Sequence, residues 1–270
     1  MQNERVTGGC HVLEAEIPAE GQGAWPDARA GQFCMLSVDD PRYPLLPRPF
    51  SLLGSTPAEG PGRPARVEFM IMPVGRGSGM LCSLAPGDAL NIVGPMGHPL
   101  DERLPAGELV CVAGGYGVAP FIFLMEQWRR AGDSRADATT VIFGARTAER
   151  LSLGERLQGS GRVTLCTDDG SAGLAGRVDA ALRGVLAENP AAMVLTCGPE
   201  AMMEAVGAVC REAGVPARAS LETYMGCGYA VCNGCAVAVD DAAQPDGYTY
   251  ELACREGTVF DEERLHWNLL

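Results

Sequence analysis

Four cysteines near the end of the chain, Cys227, Cys232, Cys235 and Cys254, have the type and spacing to hold iron. They read C-x4-C-x2-C with a fourth cysteine after eighteen intervening residues. This is the plant-type ligand set in which four thiolates hold a [2Fe–2S] cluster. Gly226, Gly228 and Gly234 lie among them, and glycine lets backbone wrap closely around a bulky group. The residues between the first three cysteines are small or uncharged, which leaves backbone N–H groups free to point at sulfur. Zinc is the competing ligand, but tetrahedral zinc sites usually pair two C-x2-C knuckles and only one is present. A [2Fe–2S] cluster passes electrons singly, so single-electron chemistry is the first expectation. Seven further cysteines are scattered along the chain among mostly apolar neighbours. An odd remainder without a framework pattern reads as buried thiols in a reducing, cytoplasmic setting.

Four other motifs suit nucleotide cofactors, each with an ordinary alternative. Arg48-Pro49-Phe50-Ser51 places a guanidinium that can clamp phosphate three residues before a hydroxyl that can meet a ring atom; a surface arginine beside a strand is the plain reading. Met70-Ile71-Met72 precedes Gly75-Arg76-Gly77-Ser78-Gly79, whose backbone N–H groups can face a pyrophosphate or simply form a hairpin turn. Gly114-Gly115-Tyr116-Gly117-Val118-Ala119-Pro120 falls between an expected strand and an expected helix, where helix N–H groups and dipole attract phosphate. It departs from G-x-G-x-x-G, and a tight ligand-free turn is its alternative. Cys197-Gly198-Pro199 ends an expected strand, the end at which open α/β sheets bind ligands; Cys197 alone reads as packing.

Two kinds of element must position these motifs. Up to residue 104, short β-rich runs such as Val67–Met72 and Leu90–Val93 alternate with Gly/Pro clusters, among them Pro57 to Pro64, which predicts an antiparallel barrel. From 105 to 218 the pattern alternates: strands at Leu109–Ala113, Thr140–Gly144, Arg162–Cys166 and Met193–Cys197, and helices at Pro120–Arg130, Ala148–Leu157, Arg177–Leu186 and Glu200–Ala213. That alternation predicts a parallel sheet. Residues 219–270 form a small cluster segment, and the first boundary is expected in Asp101–Glu108. The fold class is thus multidomain β plus α/β. A net charge of −13 argues against nucleic acid. Met1–Glu20 lacks an apolar leader core, and the uncharged stretch Leu109–Met125 is broken by glycines and Pro120, so no membrane span is expected.

In this order the motifs resemble the ferredoxin reductase superfamily, and within it the iron–sulfur electron-transfer subunits of class 1B dihydroorotate dehydrogenase. The most specific elements are Ser220-Leu221-Glu222 leading to Met225-Gly226-Cys227-Gly228, and the ending Cys254-Arg255-Glu256-Gly257-Thr258-Val259-Phe260-Asp261. The resemblance implies a flavin barrel in which Arg48 to Ser51, Met70 to Met72, Gly77 and Ser78 hold FAD. It implies that Gly114, Gly115, Gly117, Val118, Ala119, Pro120, Gly198 and Pro199 face NAD, with Cys197 beside the nicotinamide. Ile71 and Met72 stand where the family often has an aromatic and an arginine. Electrons from dihydroorotate would reduce a flavin in a partner catalytic subunit and pass through the cluster and FAD to NAD+, in pyrimidine biosynthesis. The family forms a heterotetramer of two subunits of each kind. The alternatives are the flavin subunit of an electron-bifurcating ferredoxin:NADP reductase or of a sulfide dehydrogenase, and a redox-sensing module without catalysis.

Overall fold

The computed structural model describes residues 2–18, 25–58, 63–102, 104–189 and 191–270. Residues 59–62 of the Pro57–Pro64 cluster, residue 103 of the expected boundary, and residues 1, 19 and 20 of the first twenty lie outside the described residues.

The first six strands are β1 (Gln2–Arg5), β2 (His11–Ile17), β3 (Phe33–Ser37), β4 (Arg48–Thr56), β5 (Ala65–Ile71) and β6 (Asn91–Met96). They form one antiparallel sheet in the order β1-β2-β5-β4-β3-β6. The Gly75–Gly79 run is the start of a short helix, α1 (Arg76–Cys82), and not the hairpin turn that was the alternative to a pyrophosphate-facing loop. Ser78 explains this: its Oγ accepts the N–H groups of Val74 and Gly75, both at 3.1 Å, and satisfies donors a helix start leaves open.

The α/β half follows with β7 (Leu109–Gly114), α2 (Ala119–Ala131), α3 (Arg135–Ala138), β8 (Thr140–Ala145), β9 (Arg162–Thr167), β10 (Leu174–Ala175), α4 (Val178–Glu188), β11 (Met193–Cys197), α5 (Glu200–Ala213) and β12 (Ala217–Ser220). These strands pair in parallel, in the order β10-β9-β8-β7-β11-β12. Every residue of the central strand β7 is buried, as expected of a strand covered on both faces. Pro120 sits in the first turn of α2, where its missing N–H has no partner to lose, and Gly132 ends that helix at φ 65°. The helix expected over Ala148–Leu157 is instead two short 3-10 turns, Ala148–Arg150 and Gly154–Leu157. Between them Ser152 Oγ donates to Thr7 O at 2.6 Å and Leu153 turns to φ 62°, so a tertiary anchor overrides helical propensity.

The last residues form a hairpin of β13 (Ala236–Asp240) and β14 (Tyr248–Leu252), then α6 (Ala253–Glu256) and β15 (Val259–Asp261). Strand β15 returns to the parallel sheet and pairs antiparallel with β12, through Arg218–Asp261, Ala219–Phe260 and Ser220–Val259. Arg156 joins the two main sheets, reaching Glu68 of β5 at 2.7 Å and Glu126 of α2 at 2.8 Å. Arg130 of α2 adds a bond to Ser55 O of β4 at 2.9 Å. Among the described residues no helix is long and apolar enough to cross a membrane.

Candidate functional site

Parallel pairing of β7 with β11 sets Ala113 opposite Cys197, so the two loops leaving these strands emerge side by side at the carboxyl end of the sheet. A cleft of about 600 Å³ opens there. Gly114, Gly115, Gly117, Gly198 and Pro199 line it together, as the motif reading expects. Side chains at Gly114, Gly117 and Gly198 have no room, whereas Gly115 has open space and is set apart by its φ of 54°. A Cβ on Gly114 would meet Pro199 at 3.0 Å, and one on Gly198 would meet Gly114 at 3.0 Å. The glycines therefore keep a narrow slot into which a ligand's phosphates can come close to backbone. Arg146, Arg150 and Arg177 line the same cleft with Asp168 and Glu222, so basic side chains outnumber acidic ones there in an otherwise acidic chain.

A second cleft, of about 340 Å³, lies between the two sheets. Pro49, Phe50 and Ser51 of β4, Met70 of β5, and Met72 supply one wall. Ala119, Pro120 and Cys197 come from the other half. Ile71 is not in this wall: strand alternation turns it into the core, where it is fully buried. Val118 is likewise a core residue, corrected from the cleft-facing role expected for it. Arg48 stands beside α1, where a Cβ on Gly77 would lie 3.5 Å from its Nε. Its Nη1 donates to the carbonyls of Leu46 and Pro47, and among the described residues it forms no ion pair, which leaves its charge for a ligand. Ser78 is spent on capping α1.

Cys197 is 3% exposed, and burial pushes its thiol well above the ordinary value; the nearby Glu222 adds to this and a hydrogen bond with Ser220 opposes it. The thiol is neutral and is no nucleophile at neutral pH. Cys197 lines the second cleft, next in sequence to Gly198 of the first. Tyr116, Gly117 and Glu222 line both clefts. Glu222 is open to the cleft, yet loss of water contact raises its carboxyl above the usual range. Sequence reasoning assigned no role to Tyr116, Glu222, Thr223 or Thr258. Glu222 follows β12 by two residues, so the rule of strand carboxyl ends was a usable signal. Thr258 had none: only the return of β15 brings it to this wall, with Oγ1 3.3 Å from Gly31 O. Thr223 Oγ1 is buried here with no partner among the described residues, a polar atom that a bound ring can satisfy.

The four cysteines stand as two pairs, Cys235 with Cys254 and Cys227 with Cys232, and among the described residues no three of them are gathered as one set. Cys235 and Cys254 are buried with their sulfurs 3.2 Å apart. Cys227 Sγ accepts the backbone N–H of Cys232, which together with the amides of Tyr229 and Val231 holds its thiol down to about 6. Burial moves Cys254 the other way, to about 11. Ala230 N–H points at Cys254 Sγ from 3.2 Å and Val231 N–H at Cys227 Sγ from 3.4 Å. A Cβ on Gly226 would stand 3.2 Å from Cys232 Sγ, so this backbone is a close-fitting cradle. Paired sulfurs with amides aimed at them fit a two-iron cluster, which takes four thiolates in all.

Comparison with known proteins agrees with this geometry. The family described as "Oxidoreductase NAD-binding domain" matches residues 111–208. That described as "Iron-sulfur cluster binding domain of dihydroorotate dehydrogenase B" matches residues 222–266, which hold all four cysteines. The dihydroorotate dehydrogenase B (NAD(+)) electron transfer subunit of Desulforamulus reducens is 32% identical over 258 residues, 95% of this chain and 92% of its own. The probable counterpart from Methanocaldococcus jannaschii is 33% identical, covering 88% of this chain and 81% of its own. Among solved structures, that of an NADH-dependent reduced ferredoxin-NADP oxidoreductase, studied for flavin-based electron bifurcation, is similar with TM-score 0.81 at 26% identity, over all of this chain and 90% of that one. A ferredoxin NADP+ reductase from Neisseria gonorrhoeae with bound FAD and NADP shares the fold at TM-score 0.57 and 22% identity, over 76% of this chain and 85% of that one. By its motifs, its sheets and these relatives, the chain belongs to the family of dihydroorotate dehydrogenase B (NAD+) electron transfer subunits.

Proposed function

We propose that the chain carries electrons between three sites set in a row: a [2Fe–2S] cluster on Cys227, Cys232, Cys235 and Cys254, FAD in the cleft between the sheets, and NAD over the carboxyl end of the parallel sheet. The observation that carries this reading is the shared wall of Tyr116, Gly117 and Glu222, which supports a nicotinamide in one cleft next to a flavin ring in the other. Bound FAD supplies the exchange between hydride and single electrons that neither NAD nor the cluster can perform alone.

The chain's own residues have distinct tasks in this reading. Arg48 balances flavin phosphate charge beside the start of α1. Pro49, Phe50, Ser51, Met70 and Met72 hold the ring and exclude water, with the Ser51 hydroxyl able to bond a ring atom. Gly114, Gly115, Gly117, Gly198 and Pro199 admit the dinucleotide, Ala119 and Pro120 close the slot, and Cys197 packs under the reacting ring. Glu222 stands at the junction, where loss of water contact raises its carboxyl above the usual range. We read residues 1–104 as a flavin-binding barrel, 105–218 as the nucleotide domain and 219–270 as the cluster domain. The relatives' description as electron transfer subunits supports assigning dihydroorotate oxidation to a catalytic partner, in a heterotetramer of two subunits of each kind in the cytoplasm.

The test is to purify the chain anaerobically with whatever it holds and to add dihydroorotate. Bleaching of flavin and cluster absorbance, with NADH formed once NAD+ is supplied, is the expected result. Bleaching by NADH but never by dihydroorotate would remove the proposed partner. The likeness over the whole chain to an NADH-dependent ferredoxin-NADP oxidoreductase favours, as second reading, a bifurcating complex, and the co-purifying subunit decides between the two.

A further inference from the structure

Three side chains belong both to the wall of the flavin cleft and to the apolar group that packs around Cys235 and Cys254: Phe33, Leu221 and Met225. Leu221 is tied to the β15 side through its N–H to Thr258 O at 2.8 Å, and the ring of Phe33 is turned toward Gly97, whose Cβ would meet it at 3.2 Å. Met225 is different. It is 8% exposed, and one residue, Gly226, separates it from Cys227. A Cβ on Gly226 would stand 3.2 Å from Cys232 Sγ, so the chain there passes near a second cysteine. From Met225, therefore, a covalent path of two residues and a packed path through the buried apolar group both lead to cluster ligands.

We infer that Met225 is the bridge between the flavin cleft and the cluster and sets the rate at which single electrons cross; this rests on the three-site reading above. In the step, one electron leaves the reduced flavin and one arrives on the oxidised cluster, and no covalent bond forms or breaks. Such a crossing depends on orbital overlap, which decays far more steeply through a void than through packed atoms. Methionine suits the position because an unbranched, polarizable thioether fills irregular gaps that a branched side chain cannot. The opposite side of the nest is closed by Met35 and Met96, whose atoms a Cβ on Gly228 would strike, but neither lines the flavin cleft. Those two seal the cluster; Met225 connects it.

The experiment compares the holoprotein with Met225→Ala and Met225→Leu under anaerobic stopped flow, following flavin and cluster absorbance after mixing with NADH. The alanine variant leaves a gap in the packing. Its cluster phase is expected to slow several-fold and far more than its flavin phase, while Met225→Leu, close in volume, recovers most of the rate. Iron content and the electron paramagnetic resonance spectrum of the reduced cluster stay those of the parent. The cluster potential of the alanine variant moves upward, because water entering the gap stabilises the more negative reduced state. A cluster phase at the parental rate overturns the inference, as does loss of iron from the alanine variant, which would make Met225 a packing support alone. A parent protein whose cluster stays oxidised with NADH while its flavin bleaches overturns the three-site reading along with it.

Discussion

Gly117 lies so close to the carbonyl group of Cys197 that a Cβ at 117 would overlap it. The two loops leaving β7 and β11 are thus in backbone contact, and the junction of the clefts has no slack. Gly117→Ala is expected to push the loops apart, costing about 1–3 kcal/mol of stability. NADH affinity should fall at least about tenfold. Titration of NADH against flavin bleaching checks this, and a variant with parental affinity would show that the loops yield without harm.

Cys197→Ala tests the packing of the second cleft's wall beside that junction. The thiol is neutral at physiological pH, so its loss removes packing and no charge. NADH-dependent dye reduction should slow while cluster absorbance is retained. The pH profile through the neutral range should keep its shape. A profile altered near neutrality would mean that the thiol ionises in the working protein.

Alkaline pH should weaken the fold through its buried thiols. Cys34, Cys111 and Cys210 are each pushed up from 9.0 to about 12 by burial. The unfolded chain releases these protons near 9, whereas the folded chain keeps them until about 12. Stability from this source is complete below about pH 9 and is lost as pH rises toward 12. Urea midpoints measured at about pH 7 and about pH 10 should differ in that direction, and Cys111→Ala should narrow the difference.

The carboxylate of Glu262 is 2% exposed and accepts two bonds at 2.6 Å from Arg211 of α5, with a third from Trp267 Nε1 at 2.9 Å. Arg211→Ala strands that charge in the interior and should cost about 3–5 kcal/mol. Glu262→Gln keeps hydrogen bonding and leaves a half-exposed guanidinium that water can solvate, so it should cost less. Denaturant melts of the two variants give the order directly, and the reverse order would mean that the carboxylate is not held as a charge.

The sequence was readable where one local rule decided the outcome. Strand β11 and helix α5 have the limits expected from their patterns, Met193–Cys197 and Glu200–Ala213, because a buried apolar run and a strong amphipathic period leave little choice. Glycine spacing marked the slot of Gly114, Gly115, Gly117 and Gly198, and cysteine spacing marked the thiol nest. What was not readable came from contacts distant in sequence. Ser152 broke an expected helix by reaching Thr7, 145 positions away. Ile71 left the site by strand parity, which sequence alone does not assign to a face when Met70, Ile71 and Met72 are all apolar. Thr258 entered the site only because β15 returns to β12.

That return has a consequence for how the chain can be cut or exchanged. A cluster segment hung on as a tail could be removed, or traded between proteins, at residue 219. Here the polypeptide builds the thiol nest and then comes back to supply the last strand beside β12. Cutting at the nest would leave β12 with an open row of backbone donors and acceptors, an invitation to pair with another molecule. In this chain the thiol nest and the nucleotide sheet are therefore joined through β15, and a chimera that separates them must supply a strand in its place.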